Sequence, residues 1–335
     1  MRRVQRAAAT GVLAGLIALG TGSGCAAAPP ALVVPLSLPE QVQGSPPNPV
    51  AVAVTEAPPV PSPCGETIPG WRSFARPGRM VVLGEKPGSH EIPAFVGDAV
   101  CQAAQVGLAV HVALEIPRLE QPLVDAYLAS EGTPDDRARL FRGGMWHRMY
   151  EDGRSSSAVA DLIERVRGLR RAGQPVSLHF YDELQEPGSL KEQRLAANLV
   201  SLWKQAPRDL YVVLTGNIHA RTVVGVAWDK RFEPMGYHLA SALPDVLVLD
   251  AQYTGGDAWV CELSRWGRRL DCGARPAGIP RRAFWAQERP RLTDGRLASR
   301  FAGSFTAPSA EGYHGIFFVG RLTPAPPAVE RIASR

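Results

Sequence analysis

The chain has 335 residues, 45% of them hydrophobic and 21% charged, with a formal net charge of +5. Setting aside an N-terminal leader and spacer leaves about 270 residues, enough for one large domain with a real core. Lys86, Lys191, Lys204 and Lys230 are the only lysines, so the basic excess is arginine. It is spread along the chain, with its densest group at Arg281, Arg282, Arg289 and Arg291. A nucleic-acid groove concentrates charge on one surface, so nucleic acid is not expected as a partner.

In chain order, Arg2, Arg3 and Arg6 precede a short apolar run from Ala7 to Gly20, and small residues follow up to Cys25. Charged start, apolar middle and small-residue end are the parts of a secretory signal, here residues 1–25. A spanning helix is the weaker reading, because about 20 predominantly apolar residues are needed and this stretch reaches that only by counting Gly, Ser and Thr. Ser23-Gly24-Cys25-Ala26 resembles a lipobox, with Gly22 where leucine is usual. Cys25 is thus the expected lipidation site, and cleavage after Ala26-Ala27-Ala28 is the alternative. An acyl chain on Cys25 would anchor the protein to a membrane from outside the cytoplasm, in the cell envelope, without spanning it. Residues 26–63 are rich in Pro, Ala and Val and read as an extended tether. Residues 323–335 read as a Pro/Ala-containing tail, and 64–322 as the working domain.

Within that domain, apolar runs alternate with helical patterns. Met80–Gly84, Leu108–Ile116, Val176–Tyr181, Leu210–Thr215, Val246–Asp250 and Ile316–Val319 read as strands covered on both faces. Val159, Leu162, Ile163, Val166 and Leu169 share one helix face, and Gly173 marks its stop. Ser155 and Ser156 read as caps for this helix, and Ser189 with Glu192 as a capping box for the next. The expected fold is α/β: a mainly parallel sheet flanked by helices. Residues 257–300 read as an irregular, disulfide-pinned C-terminal excursion. Four cysteines besides Cys25 allow three pairings. Cys261 and Cys272 flank a short segment centred near Gly267, which suits a hairpin bridge and leaves Cys64 for Cys101. His111 and His179, inside strand runs, read as core or face histidines.

Sites in parallel α/β sheets form beyond the carboxyl ends of the strands. Here those ends carry Glu85, Glu115, Asp182 with Glu183, the run Gly216-Asn217-Ile218-His219, and Asp250. Converging carboxylates and a histidine suit acid–base chemistry or a cation. Glu85, Glu115, Asp182 and His219 are the catalytic candidates, and Glu85, Glu115 and His219 the candidates for a divalent metal. Arg154 reads equally as a clamp for an anionic group and as an ion-pair partner near its helix start. GxSxG, HExxH and Walker-loop signatures are missing, which argues against a serine hydrolase and against an NTPase.

At these residues the sequence resembles the superfamily joining erythromycin esterases, ChaN-like haem-uptake lipoproteins and TraB/Tiki proteins. Gly84-Glu85-Lys86-Pro87-Gly88-Ser89 is similar to its G-E-x-H-G-S/T motif, Ala113-Leu114-Glu115 to its second strand, and Gly216-Asn217-Ile218-His219 to its G-N-x-H motif. Trp146 with Asp152-Gly153-Arg154-Ser155-Ser156 resembles a W…DGRSS element of bacterial members. The match runs from about Met80 to Trp259. Pro87 replaces the motif histidine that the esterase branch uses as base; His90, three residues on, is the candidate substitute. The resemblance implies hydrolysis of a small molecule, with Arg154 and Asn217 as substrate-binding residues. Its ChaN branch implies the rival, a haem- or metal-binding lipoprotein without catalysis. A catalytically inactive envelope scaffold is the third reading.

Overall fold

A computed structural model describes residues 64–65, 67–148, 152–183, 188–264, 267, 270–278 and 299–329, with the backbone alone of 292–293 and 296–297. The signal segment, Cys25 and the tether lie outside the described residues. Among the described residues, ten strands and seven α-helices follow one another as β1 (Met80–Glu85), α1 (Glu91–Gln105), β2 (Val110–Pro117), α2 (Gln121–Leu128), α3 (Pro134–Leu140), α4 (Ser157–Arg171), β3 (Val176–Asp182), α5 (Gly188–Gln205), β4 (Leu210–Gly216), α6 (Asn217–Ala220), α7 (Met235–Ala242), β5 (Val246–Leu263), β6 (Leu270–Pro276), β7 (Leu292–Thr293), β8 (Arg296–Leu297), β9 (Phe301–Gly303) and β10 (Gly315–Leu322).

The main sheet has the order β3-β2-β4-β1-β5-β10-β9, parallel except for β9, with β6 hanging on the far part of β5. This is the expected α/β architecture. Every side chain of β1 is buried, as a central strand covered on both faces requires. Successive residues point to opposite layers. Val81 and Leu83 pack with α1, α2 and α4, through residues such as Val96, Val124 and Ile163. Met80 and Val82 pack with α5 and α7, through Leu195, Leu199 and Leu239.

Ser156 caps α4 by accepting the Val159 N–H (3.4 Å), as expected. The capping box at Ser189 does not form. α5 is already helical at Gly188, the Ser189 hydroxyl accepts the Glu233 N–H (3.1 Å), and Glu192 turns inward. Glu192 lies three and seven residues before Leu195 and Leu199, so helical periodicity places it on the buried face.

β5 does not stop at Asp250 but runs on to Leu263 and folds back as β6, so the excursion begins as a regular hairpin. Cys261 and Cys272 are direct cross-strand partners and are bridged; the second disulfide joins Cys64 to Cys101 on α1. Both pairings are the expected ones. Thr323–Val329, set apart in the sequence reading as tail, lies along the starts of α1 and α4. Thr323 hydrogen-bonds the Glu91 carboxylate, Ser157 N–H reaches Pro326, and Ala328 N–H reaches Ser155. Among the described residues no helix is long and apolar enough to cross a membrane.

Candidate active site

The carboxyl ends of β1, β2 and β4 lie side by side, with Glu85 opposite Gly216 in the β1–β4 register. The loop after β1 is held by the Gly88 carbonyl, which accepts the Trp259 N–H (2.8 Å) and the Ala325 N–H (2.9 Å). Gly88 has φ of +110°, and a Cβ there would stand 2.0 Å from the Trp259 carbonyl oxygen, so only glycine fits. A cavity of about 20 Å³ opens at this end, lined among others by Glu85, Pro87, Glu115, Arg154, Thr215 and Gly216. That is room for one water.

Glu115 is buried and fully engaged. Its Oε2 accepts the Thr215 hydroxyl (2.8 Å) and the Gly216 N–H (3.0 Å); its Oε1 accepts Arg154 Nη1 (2.6 Å) and lies 3.5 Å from His219 Nε2. Burial alone would raise its pKa. His219, Arg154 and the two hydrogen bonds from Gly216 and Thr215 outweigh burial and bring it down to about 2. Glu115 is therefore a fixed anion. Arg154 spans Glu115 and Asp152, which it meets at 2.5 Å through Nη2, and its pKa is raised against the cost of burial by those carboxylates. Of its two readings, the ion-pair partner is the one its contacts describe, although the guanidinium also lines the cavity.

Glu85 has the opposite environment. It is 5% exposed, and its Oε2 is buried with no hydrogen-bond partner among the described residues. Burial, then repulsion from Glu115, push its pKa up to about 8 despite the Arg154 charge. Two carboxylates on one cavity are thus driven apart in acidity, the arrangement that separates a proton-transferring group from a permanent charge.

His219 stands on the short helix α6 directly after β4. Its Nδ1 is 2.7 Å from Glu192 Oε1, while Glu192 Oε2 accepts the Met235 N–H (2.9 Å). Burial lowers the imidazole pKa, but Glu115 and Glu192 outweigh it and hold it above the ordinary value. Glu192 and Asp152 are site residues that sequence reasoning missed. The first left a signal, as an acidic side chain on the apolar face of α5.

The other candidates stand apart from the cavity. Asp182 is paired with Lys191 (2.9 Å) and accepts the Glu183 N–H. Asn217 offers its backbone carbonyl to the Tyr313 hydroxyl (2.7 Å). His90 occupies the N-cap of α1, its N–H on the Thr323 carbonyl, and does not line the cavity. Pro87, which stands at the place of the motif histidine, lines the cavity itself. Glu85, Glu115 and His219 are not gathered as a metal site: among the described residues no group of three or more His, Cys, Asp or Glu side chains is placed to hold an ion. Both nitrogens of His219 face carboxylates, so the ring does not fit a haem ligand either.

No protein-family model matches the chain, and no curated protein does. Solved structures do. Erythromycin esterase EreC, in the open conformation of a histidine-to-asparagine mutant, superposes with a TM-score of 0.56 at 11% identity, over 76% of this chain and 93% of that one. A succinoglycan biosynthesis protein superposes with a TM-score of 0.50 at 12% identity, over 74% and 89%. The likeness drawn from the short motifs thus holds at the level of the fold: the chain has the α/β fold of erythromycin esterase.

Proposed function

We propose that this domain is a small-molecule hydrolase in which Glu85 does the proton transfer. The observation that carries the reading is the Glu85 carboxyl, poised near neutrality with an unpartnered buried oxygen on a water-sized cavity it shares with Arg154. A general base works best with a pKa near the operating pH. With a pKa of about 8, roughly a tenth of Glu85 is ionised at pH 7, and that fraction is strongly basic. Glu85 takes a proton from the attacking water and later returns it to the leaving group. Arg154 retains N–H groups beyond those spent on Glu115 and Asp152, and these meet the negative charge that develops on the substrate oxygen. Glu115 holds Arg154 and His219 in place. Glu85 thereby takes the base role left open by Pro87.

The likeness to erythromycin esterase supports an ester or lactone as substrate. We further propose an extracytoplasmic, lipid-anchored placement, supported by the N-terminal pattern ending at Cys25 and by two disulfides of a kind that persist in oxidising compartments. A panel of small esters and lactones, assayed with the purified domain, tests the chemistry. A hit should speed up as pH rises towards 8 and should collapse in Glu85→Gln. Unchanged turnover in that variant would remove Glu85 from the mechanism. A Soret band of a bound haem in the same sample would favour the ChaN-like rival.

A further inference from the structure

The opposite, amino-terminal end of the sheet holds a second group of reactive side chains. The parallel registers set His111 on β2 beside Ser177 on β3 and beside Tyr211 on β4. Ser177 Oγ lies 3.0 Å from His111 Nδ1, and the other ring nitrogen, Nε2, lies 2.9 Å from Asp209 Oδ2, just ahead of β4. The imidazole is stacked flat on the Tyr211 ring, with centroids 4.6 Å apart and an interplanar angle of 9°. The ring is therefore held in the plane that serves both hydrogen bonds.

Ser177 faces a cavity of about 410 Å³ along the edge strand β3, bounded by α2 and α5 and lined also by Arg118, Arg170, His179 and Asn198. That volume lies within the range of about 300–1,000 Å³ usual for small-molecule sites. None of these side chains takes part in the Glu85 site. A hydroxyl bonded to an imidazole, an imidazole oriented by a carboxylate, and a cavity beside the hydroxyl meet the geometric criteria for an activated serine. Such constellations are recognised by geometry and not by position in the chain.

We propose that Ser177, His111 and Asp209 form a second, independent acyl-transfer centre acting on a small polar ester. With Nε2–H donated to Asp209, His111 Nδ1 is the acceptor for the Ser177 proton. Ser177 Oγ bonds to the ester carbonyl carbon as its proton passes to Nδ1. The bond from that carbon to the alkoxy oxygen then breaks, and the alcohol leaves with the proton. Water, deprotonated by the same nitrogen, releases the acid and restores the serine. Arg170, which reaches from α4 to the Val176 carbonyl, lines the cavity and supplies positive charge for the tetrahedral oxyanion. His179 Nε2 lies 3.0 Å from His111 Nδ1. Burial, then the neighbouring His111, lower the His179 pKa to about 4, so the second ring places no charge beside the first.

The test is covalent labelling of the full chain with an alkyl fluorophosphonate, followed by peptide mapping. The expected result is one adduct, on the peptide carrying Ser177. Ser177→Ala should lose it, His111→Gln should slow it by roughly 100-fold, and Ser201→Ala, in the same cavity, should keep it. No adduct on Ser177 after exhaustive labelling would overturn the proposal, as would His111→Gln labelling at the wild-type rate. Mapping on the wild type and the His111 variant decides the matter even if Ser177→Ala folds poorly.

Discussion

Replacing Glu85 by glutamine removes an ionisable group while keeping shape and burial. In the unfolded chain the carboxyl titrates at its ordinary value of 4.5; in the fold it titrates at about 8. Between those two values the folded state holds the proton that the unfolded state has released, so stability falls as pH rises. The penalty is absent below pH 4.5 and complete above pH 8. For this shift the linkage relation gives a loss of roughly 3 kcal/mol between pH 4.5 and pH 7, and about 5 kcal/mol by the end of the window. Glutamine carries no such penalty. Urea denaturation of the two proteins, followed by circular dichroism without reductant from pH 4.5 to 8.5, measures the difference. His219, whose pKa is also raised, adds a further loss at higher pH, but it does so in both proteins and cancels. Glu85→Gln should gain on the wild type steadily as pH rises. Two parallel stability curves would refute the claim that burial holds the Glu85 proton, and with it the proposed base.

Arg154→Met leaves Glu115 buried with one charge partner fewer and should cost about 3–5 kcal/mol near neutral pH. Because the Glu115 pKa is depressed from 4.5 to about 2, that loss should shrink as acid protonates the carboxylate, and chemical denaturation at pH 7 and pH 3 would show it. Glu192→Gln should lower the titration midpoint of His219, read by NMR of the imidazole, since Glu192 is one of the two groups that raise it. Replacing Cys64 and Cys101 by alanine opens a loop of sequence separation 37 and should cost about 4 kcal/mol by loop-closure entropy, measured by the shift in denaturation midpoint. Cys25→Ser should abolish metabolic labelling with a fatty acid if the N-terminal cysteine carries the anchor.

Glu85 and Glu115 were legible because they end continuous apolar runs, and a carboxylate there has few places to go except the strand-end crevice. His219 was legible because Gly216-Asn217-Ile218-His219 follows directly on such a run. What the chain order does not carry is lateral register. His111 and Ser177 are 66 residues apart, and only the pairing of β2 with β3 makes them neighbours, so single-strand periodicity left His111 as a core or face histidine. Asp182 followed the same strand-end logic as Glu85, yet Lys191 on the next helix claims it. Glu192 was hidden by a competing local rule, because a serine three residues before a glutamate fits a helix start as well as it fits the interior of α5. The extent of β5 was obscured by Gln252, Thr254, Gly255 and Gly256, which follow the apolar run ending at Asp250 while the strand continues to Leu263.

The Gly88 carbonyl, joined to Trp259 and Ala325, also orders events in time. A chain made from its N-terminus presents Glu85 long before residue 325 exists. The loop that frames the cavity gains this second hydrogen bond only after residue 325 has been made. Contacts so distant in sequence form late, because the intervening chain must first be brought together. Until residue 325 has joined the fold, the loop after Glu85 is held by at most one of these two hydrogen bonds.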